Sequence, residues 1–142
     1  MKTESMLAEE AATDQANTPP AIGEIWPGQG GRYVGLAAAD DDNPQGHLVL
    51  CDMTNDLDWK AAIEWAKTQS ADGHTDLRLP TRFEAALIYA NAQQHVDQSR
   101  WHWTSTQCSR NTAWVQDFGV GLQYGVGKGG TRRVRLVRRF VL

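Results

Sequence analysis

Cysteine is scarce in this chain: Cys51 and Cys108 are the only two, and they form no C-x-x-C spacing. That excludes a disulfide-stapled miniprotein and a cysteine-clamped zinc module. The expectation is two reduced thiols, paired only if the fold brings them together. No run approaches the ~20 apolar residues of a membrane span, so membrane insertion is not expected. The first residues contain no apolar h-region, and no signal peptide is expected. His47, His74, His95 and His102 are scattered, with no metal-ligand spacing, so neither metal nor cofactor is expected. No His-Asp partnership lies near Thr104, Ser105 and Thr106. These read as strand residues with satisfied hydroxyls rather than nucleophiles, and the chain is not expected to be an enzyme.

What is present fits one soluble domain. The chain has 142 residues, 41% hydrophobic and 22% charged, with a mild net charge of −3 that argues for no particular partner, and a nucleic-acid partner is not expected. Six tryptophans are many for this length, and tryptophan anchors either cores or binding surfaces. The charge is unevenly spread. Lys128, Arg132, Arg133, Arg135, Arg138 and Arg139 crowd residues 128–142, which hold no acid. The first forty-two residues carry eight acids against Lys2 and Arg32.

Residues 1–20 read as an acidic, polar arm, with Met1, Met6 and Leu7 too few to offset the entropy of ordering. The domain spans 21–142. Arg32–Ala38 and His47–Cys51 read as strands, joined by the polar hairpin loop Asp40–Gly46. Asp58 caps a helix running to about Gln69, with Trp59, Ala62, Ile63 and Ala66 at helical spacing. Pro80 forbids helix before it, while Thr81 and Glu84 form a capping box. The second helix therefore runs from Arg82 to about Gln93, with Phe83, Ala86, Leu87 and Ala90 on its apolar face.

After residue 100 the period becomes that of strands. Trp101–Thr106 and Ala113–Phe118 are two, and Gly119–Tyr124 begins a third. Gly125, Gly127, Gly129 and Gly130 suggest a loop. Thr131–Val141 is the last strand. The pattern is α+β with a mostly antiparallel sheet.

The ordered set of motifs resembles the C-type-lectin-like domain of the Lcl-type C-terminal family, found in bacterial surface proteins and in phage and prophage genomes. It comprises Trp59-x5-Trp65, Asp76-Leu77-Arg78-Leu79-Pro80-Thr81, Glu84, Trp103-Thr104-Ser105-Thr106, Ala113-Trp114, Phe118-x2-Gly121 and Val134–Arg139. Leu77 stands where that family usually has Trp, and Thr104 where it has Ser. The resemblance implies two helices flanking the sheet, terminal strands that pair as neighbours, and a small second sheet displaying variable loops. Trp59, Trp65, Arg78, Leu79, Pro80, Thr81, Glu84, Trp103 and Trp114 would be its structural residues. Calcium-dependent sugar binding is not implied, because Asn43-Pro44-Gln45 lies early and residues 110–118 lack a Trp-Asn-Asp triplet. Asp40, Asp41, Asp42 and Asn43 read instead as a solvated hairpin tip.

The resemblance further implies a non-enzymatic binding module in a phage virion, a tail fibre or adhesin recognising a host-surface protein or glycan. The alternative is a structural virion protein, a capsid or tail decoration binding other virion subunits. Either would be a homo-oligomer made in the host cytoplasm. Ligand contact is expected at the late loops: Gln107, Ser109, Arg110, Asn111, Thr112, Gln116, Gln123, Tyr124 and Lys128. Alternation puts Trp101 and Trp103 on one strand face, either as core or with one flooring a ligand surface. Arg133, Arg135 and Arg139 read as a stripe that pairs with acids of the same domain, meets an anionic ligand, or takes the acidic arm of a neighbouring copy.

Overall fold

The last strand organises the sheet, because its residues alternate between two cores. The computed structural model describes residues 17–141. Its strands are β1 (Ile25–Trp26), β2 (Gly31–Ala37), β3 (Gly46–Leu57), β4 (Trp101–Gln107), β5 (Thr112–Asp117), β6 (Gln123–Gly127) and β7 (Arg132–Val141). They form a single sheet in the order β1-β2-β3-β7-β4-β5-β6. Every neighbouring pair is antiparallel except β4 and β7, which run parallel through the pair His102 and Arg133. Helix α1 (Trp59–Ala66) covers one face, and α2 (Arg82–Ala92), followed by a 3-10 turn at Gln93–His95, covers the other.

On β7, Val134 and Leu136 point into the α1 core with Cys51, Leu79, Trp103, Ala113 and Val115. Val137 points into the α2 core with Val34, Leu48, Leu50, Ile88 and Phe118. Trp26, Tyr33, Val49 and Phe140 extend the α1 side toward β1. A sheet buried on both faces explains why His102, between two tryptophans, is itself buried. Its ring packs edge-on against Phe118 at 4.8 Å.

Both helices start where their caps direct. The Asp58 side chain accepts from the Ala61 N–H at 2.8 Å. Thr81 accepts from Glu84 N–H at 3.1 Å, and Glu84 accepts in return from Thr81 N–H at 2.8 Å. Each such cap is worth about 1 kcal/mol.

Several expectations need correction. The described residues form one sheet, with no small second sheet. The last strand pairs with β3 and β4, whereas β1 lies at the far edge, so the terminal strands are not neighbours. Gly125 and Gly127 belong to β6 rather than to a loop. Helix α1 stops at Ala66, short of Gln69. The apolar face of α2 is also reversed: Glu84, Ala85, Ile88 and Ala92 are buried, while Phe83, Ala86 and Ala90 are exposed.

The reversal has a physical cause in Glu84. Its carboxylate is buried, accepts a two-pronged bond from Arg78 at 2.6 and 2.8 Å, and accepts from Arg139 Nε at 2.8 Å. Burial by itself would raise its pKa, but the Arg78 fork, the Thr81 N–H and Arg139 outweigh burial and hold it below the ordinary carboxylate range. A charge satisfied three ways is turned inward, and the helix rotates with it.

Candidate functional site

The β4–β5 turn brings part of the expected binding surface together. Cys108 and Ser109 both donate backbone N–H groups to the Thr112 carbonyl, and Ser109 and Thr112 share a hydroxyl bond of 2.6 Å. Gln107, Ser109, Arg110 and Asn111 are thereby held at the exposed tip. Lys128, just past β6, reaches across to them. Its ammonium donates to Gln107 Oε1 at 2.6 Å and to the Arg110 carbonyl at 2.8 Å. It also sits 4.4 Å from the centre of the Trp59 ring, tying the turn to the start of α1.

Other expected contacts lie elsewhere. Gln116 is fully buried, so it is a core residue and not a ligand contact. Alternation sets it on the opposite face of β5 from Ala113 and Val115, and that face is covered too. Its amide donates to the carbonyls of Asp117 and Leu122, and it accepts from Gln123 Nε2 at 2.8 Å. Gln123 also bonds Arg82 twice, accepting from its Nε and donating to its carbonyl. The Arg82 guanidinium in turn lies 3.7 Å from the centre of the Trp114 ring. These residues hold the start of α2 onto β5 and β6.

Tyr124 joins a different group. Its ring lies 4.8 Å from that of Trp101 at a 32° tilt. Trp103, two residues on, is completely buried, with its Nε1 donating to the Leu57 carbonyl, whereas Trp101 is 36% exposed. The two indoles therefore share a face but not a role. The parallel pairing of His102 with Arg133 brings Arg132 beside Trp101, and its guanidinium carbon lies 5.1 Å from the ring centre. No described carboxylate comes within ion-pairing distance of Arg132, and its buried Nε has no hydrogen-bond partner. Ser99, Arg100 and Thr131 complete a cleft of about 270 Å³ with Trp101 and Arg132. Arg100 and Arg132 were not expected as contacts. The signal for them is a pairing between strands some thirty residues apart, which local periodicity does not contain.

The other strand arginines are engaged at home. Arg139 bonds Glu84, Asp40 and the carbonyls of Ala38 and Pro44. Arg138 pairs with Asp76 at 2.8 Å, and Arg135 meets Asp52, the His95 carbonyl and the Cys51 carbonyl. Arg133 pairs with Asp56 at 3.2 Å. Of the three readings of the stripe, pairing within the domain is the one these distances describe. The same bonds alter the hairpin tip: Asp40 is drawn toward Arg139 and accepts from the backbone of Asp42 and Asn43. Its burial is outweighed by those bonds, which lower its pKa. The acidic arm falls outside the described residues up to Ala16.

Cys51 is buried and Cys108 exposed, both as free thiols. Burial pushes the Cys51 thiol up to about 12 and His102 down to about 4. Among the described residues, no three His, Cys, Asp or Glu side chains gather in a metal-binding arrangement.

No curated protein matches the chain. The family model described as the Lcl C-terminal domain matches residues 26–138. That span runs from β1 almost to the end of β7 and contains the Arg78–Glu84 pair, both capped helices and the Trp101 cleft, stopping one residue short of Arg139. By this match the chain belongs to the Lcl C-terminal domain family.

Proposed function

We propose that this chain is a non-enzymatic binding module, built on a C-type-lectin-like frame, that recognises a host-surface ligand as a component of a phage virion. The observation that carries the binding role is Arg132. It rests against a partly exposed indole and, among the described residues, has no carboxylate partner and no acceptor for its buried Nε–H. A ligand offering a flat apolar face beside an anionic group, on a protein or a glycan, would satisfy both at once. The exposed tip at Gln107–Asn111 with Lys128 supplies a second rim of polar groups. The non-catalytic reading draws on chemistry: a thiol held protonated and a histidine held neutral and enclosed are poor nucleophile and base.

The experiment is binding of the purified chain to bacterial host cells, compared with the Trp101→Ala and Arg132→Ala variants. Loss of an aromatic or Arg anchor at a binding hot spot costs about 2 kcal/mol or more, roughly thirtyfold in affinity. Undiminished binding by both variants, folded as judged by circular dichroism, would remove the cleft from the site. A chain that ignores host cells yet co-purifies stoichiometrically with particles would be a virion structural protein instead.

A further inference from the structure

Among the described residues, the polar groups around the Trp101 cleft are donors with nothing to donate to. Arg132 makes no ion pair, and its buried Nε–H has no acceptor. The Trp101 indole N–H and the hydroxyls of Thr131 and Tyr124 make no hydrogen bond there either. The nearby carboxylates are turned elsewhere. Asp56 is shared by Arg100 at 2.8 Å and Arg133 at 3.2 Å, and Asp97 accepts from the Ser99 hydroxyl at 2.6 Å. Asp117, opposite Trp101 on β5, accepts from the Gly119 and Val120 N–H groups. Arg132 is thus the cation of the cleft without a counter-charge, and one negative charge completes it. A phosphate monoester carries about −1.5 to −2 and exceeds that. The cleft holds about 270 Å³, just below the roughly 300–1,000 Å³ of pockets that enclose drug-sized ligands, so it takes one ring and not a chain.

We propose that the unit bound in this cleft is a single acidic sugar, a ring bearing one carboxylate. This rests on the reading of the cleft as the binding site and names what fills it. The C–H face of a sugar ring is weakly positive and suits the negative face of an indole. The Arg132 guanidinium lies 5.1 Å from the centre of that indole ring, so a sugar seated on Trp101 brings its carboxylate to the arginine fork. Its hydroxyls, which both donate and accept, meet the Thr131 and Tyr124 hydroxyls and the indole N–H. Peptide groups fit less of this. An Asp or Glu side chain carries its charge on a flexible stem without a ring. An aromatic residue at a peptide C-terminus has a ring and a carboxylate, but its ring leaves the free donors desolvated and unpaired.

The probes are the methyl glycosides of glucuronic acid and of sialic acid, each paired with its uncharged carboxamide. Titration into the full chain, followed by nitrogen-proton NMR, should move the Trp101 indole N–H resonance with at least one acid. Its carboxamide should bind about tenfold or more weakly, the worth of a hydrogen bond to a charged group. In Arg132→Gln, folded by the same spectra, acid and carboxamide should bind alike. Host cells whose glycans are oxidised with periodate should lose the binding that needs Trp101 and Arg132. The proposal is overturned if neither acid moves the resonance at its highest soluble concentration, or if the preference for the acid survives in Arg132→Gln. Cell binding that needs both residues yet survives periodate would overturn the sugar and assign the cleft to a protein ligand, leaving the cleft itself as the site. Cell binding indifferent to both residues would instead remove the cleft.

Discussion

Glu84 and Arg139 meet at 2.8 Å although they are 55 residues apart and both almost wholly buried. The pair fastens α2 to β7, and Arg139 passes the contact on to the β2–β3 loop through the Ala38 and Pro44 carbonyls. Removing one side of a buried pair strands the other charge, at a cost of about 3–5 kcal/mol. Glu84→Ala should lose that much by urea unfolding. Adding Arg139→Leu should recover part of the loss, a coupling that a double-mutant cycle reads directly. Strictly additive losses would show that the two side chains do not act together.

Acid should unfold the domain earlier than its carboxylates alone require. His102 has its folded pKa depressed to about 4 by burial, against 6.5 when unfolded. It is neutral in the native state, and its Nδ1–H donates to the Arg100 carbonyl at 3.0 Å. The unfolded chain takes up the proton first. Its contribution is therefore complete above pH 6.5 and is lost as pH falls toward 4, on the order of 3 kcal/mol in all. Glu84 and Asp76 have depressed pKa values, so their contributions are lost below the normal carboxylate range. Wild type should lose stability between pH 6.5 and 4.5, and His102→Leu should flatten that slope while leaving the steeper loss below it. An unchanged slope in the variant would assign the effect to another group.

Much of the frame was legible because its signals are local. Asp58, Pro80, Thr81 and Glu84 place both helix starts within a few residues, and alternation locates β4, β5 and β7. What was not legible depends on contacts between distant residues. The inward turn of Glu84 needs Arg78 and Arg139, so the more regular apolar stripe of Phe83, Ala86, Leu87 and Ala90 looked like the core face. Only the second half of β6 reads as a loop, because Gly125 and Gly127 carry little propensity for a strand, while pairing with Trp114 and Thr112 supplies the order. In the candidate site, the exposed tip could be read from polarity alone. The Trp101–Arg132 contact could not, since it arises from parallel pairing of β4 with β7.

Gly121 and Gly28 offer a test of steric closure at equal backbone strain. Both have φ of +81°. A Cβ on Gly28 meets nothing within 4 Å, while one on Gly121 would lie 2.5 Å from the Tyr89 ring. Gly28→Ala should cost about 1–2 kcal/mol, the left-handed backbone penalty for a residue with a Cβ. Gly121→Ala should cost clearly more, because the α2 tyrosine must move as well. Pairing it with Tyr89→Leu should recover the excess. Thermal unfolding reads all three variants, and equal losses at the two glycines would mean that Tyr89 yields freely.

Gln116 and Gln107 separate the packed interior of the late region from its surface. Gln116→Ala removes three hydrogen bonds of a fully buried side chain, those to the Asp117 and Leu122 carbonyls and that from Gln123, each contributing about 0.5–1.5 kcal/mol. Gln107→Ala removes one exposed bond to Lys128, and surface changes of that kind stay within about 0.5 kcal/mol. Urea unfolding should therefore rank the two variants far apart. Ligand affinity should rank them the other way when measured on folded protein. A ligand on the β4–β5 tip touches Gln107 and the lysine it orients, whereas Gln116 lies beneath the sheet surface and reaches no ligand. Equal stability of the two variants would contradict the buried bonding of Gln116, and equal affinity would place the ligand away from this tip.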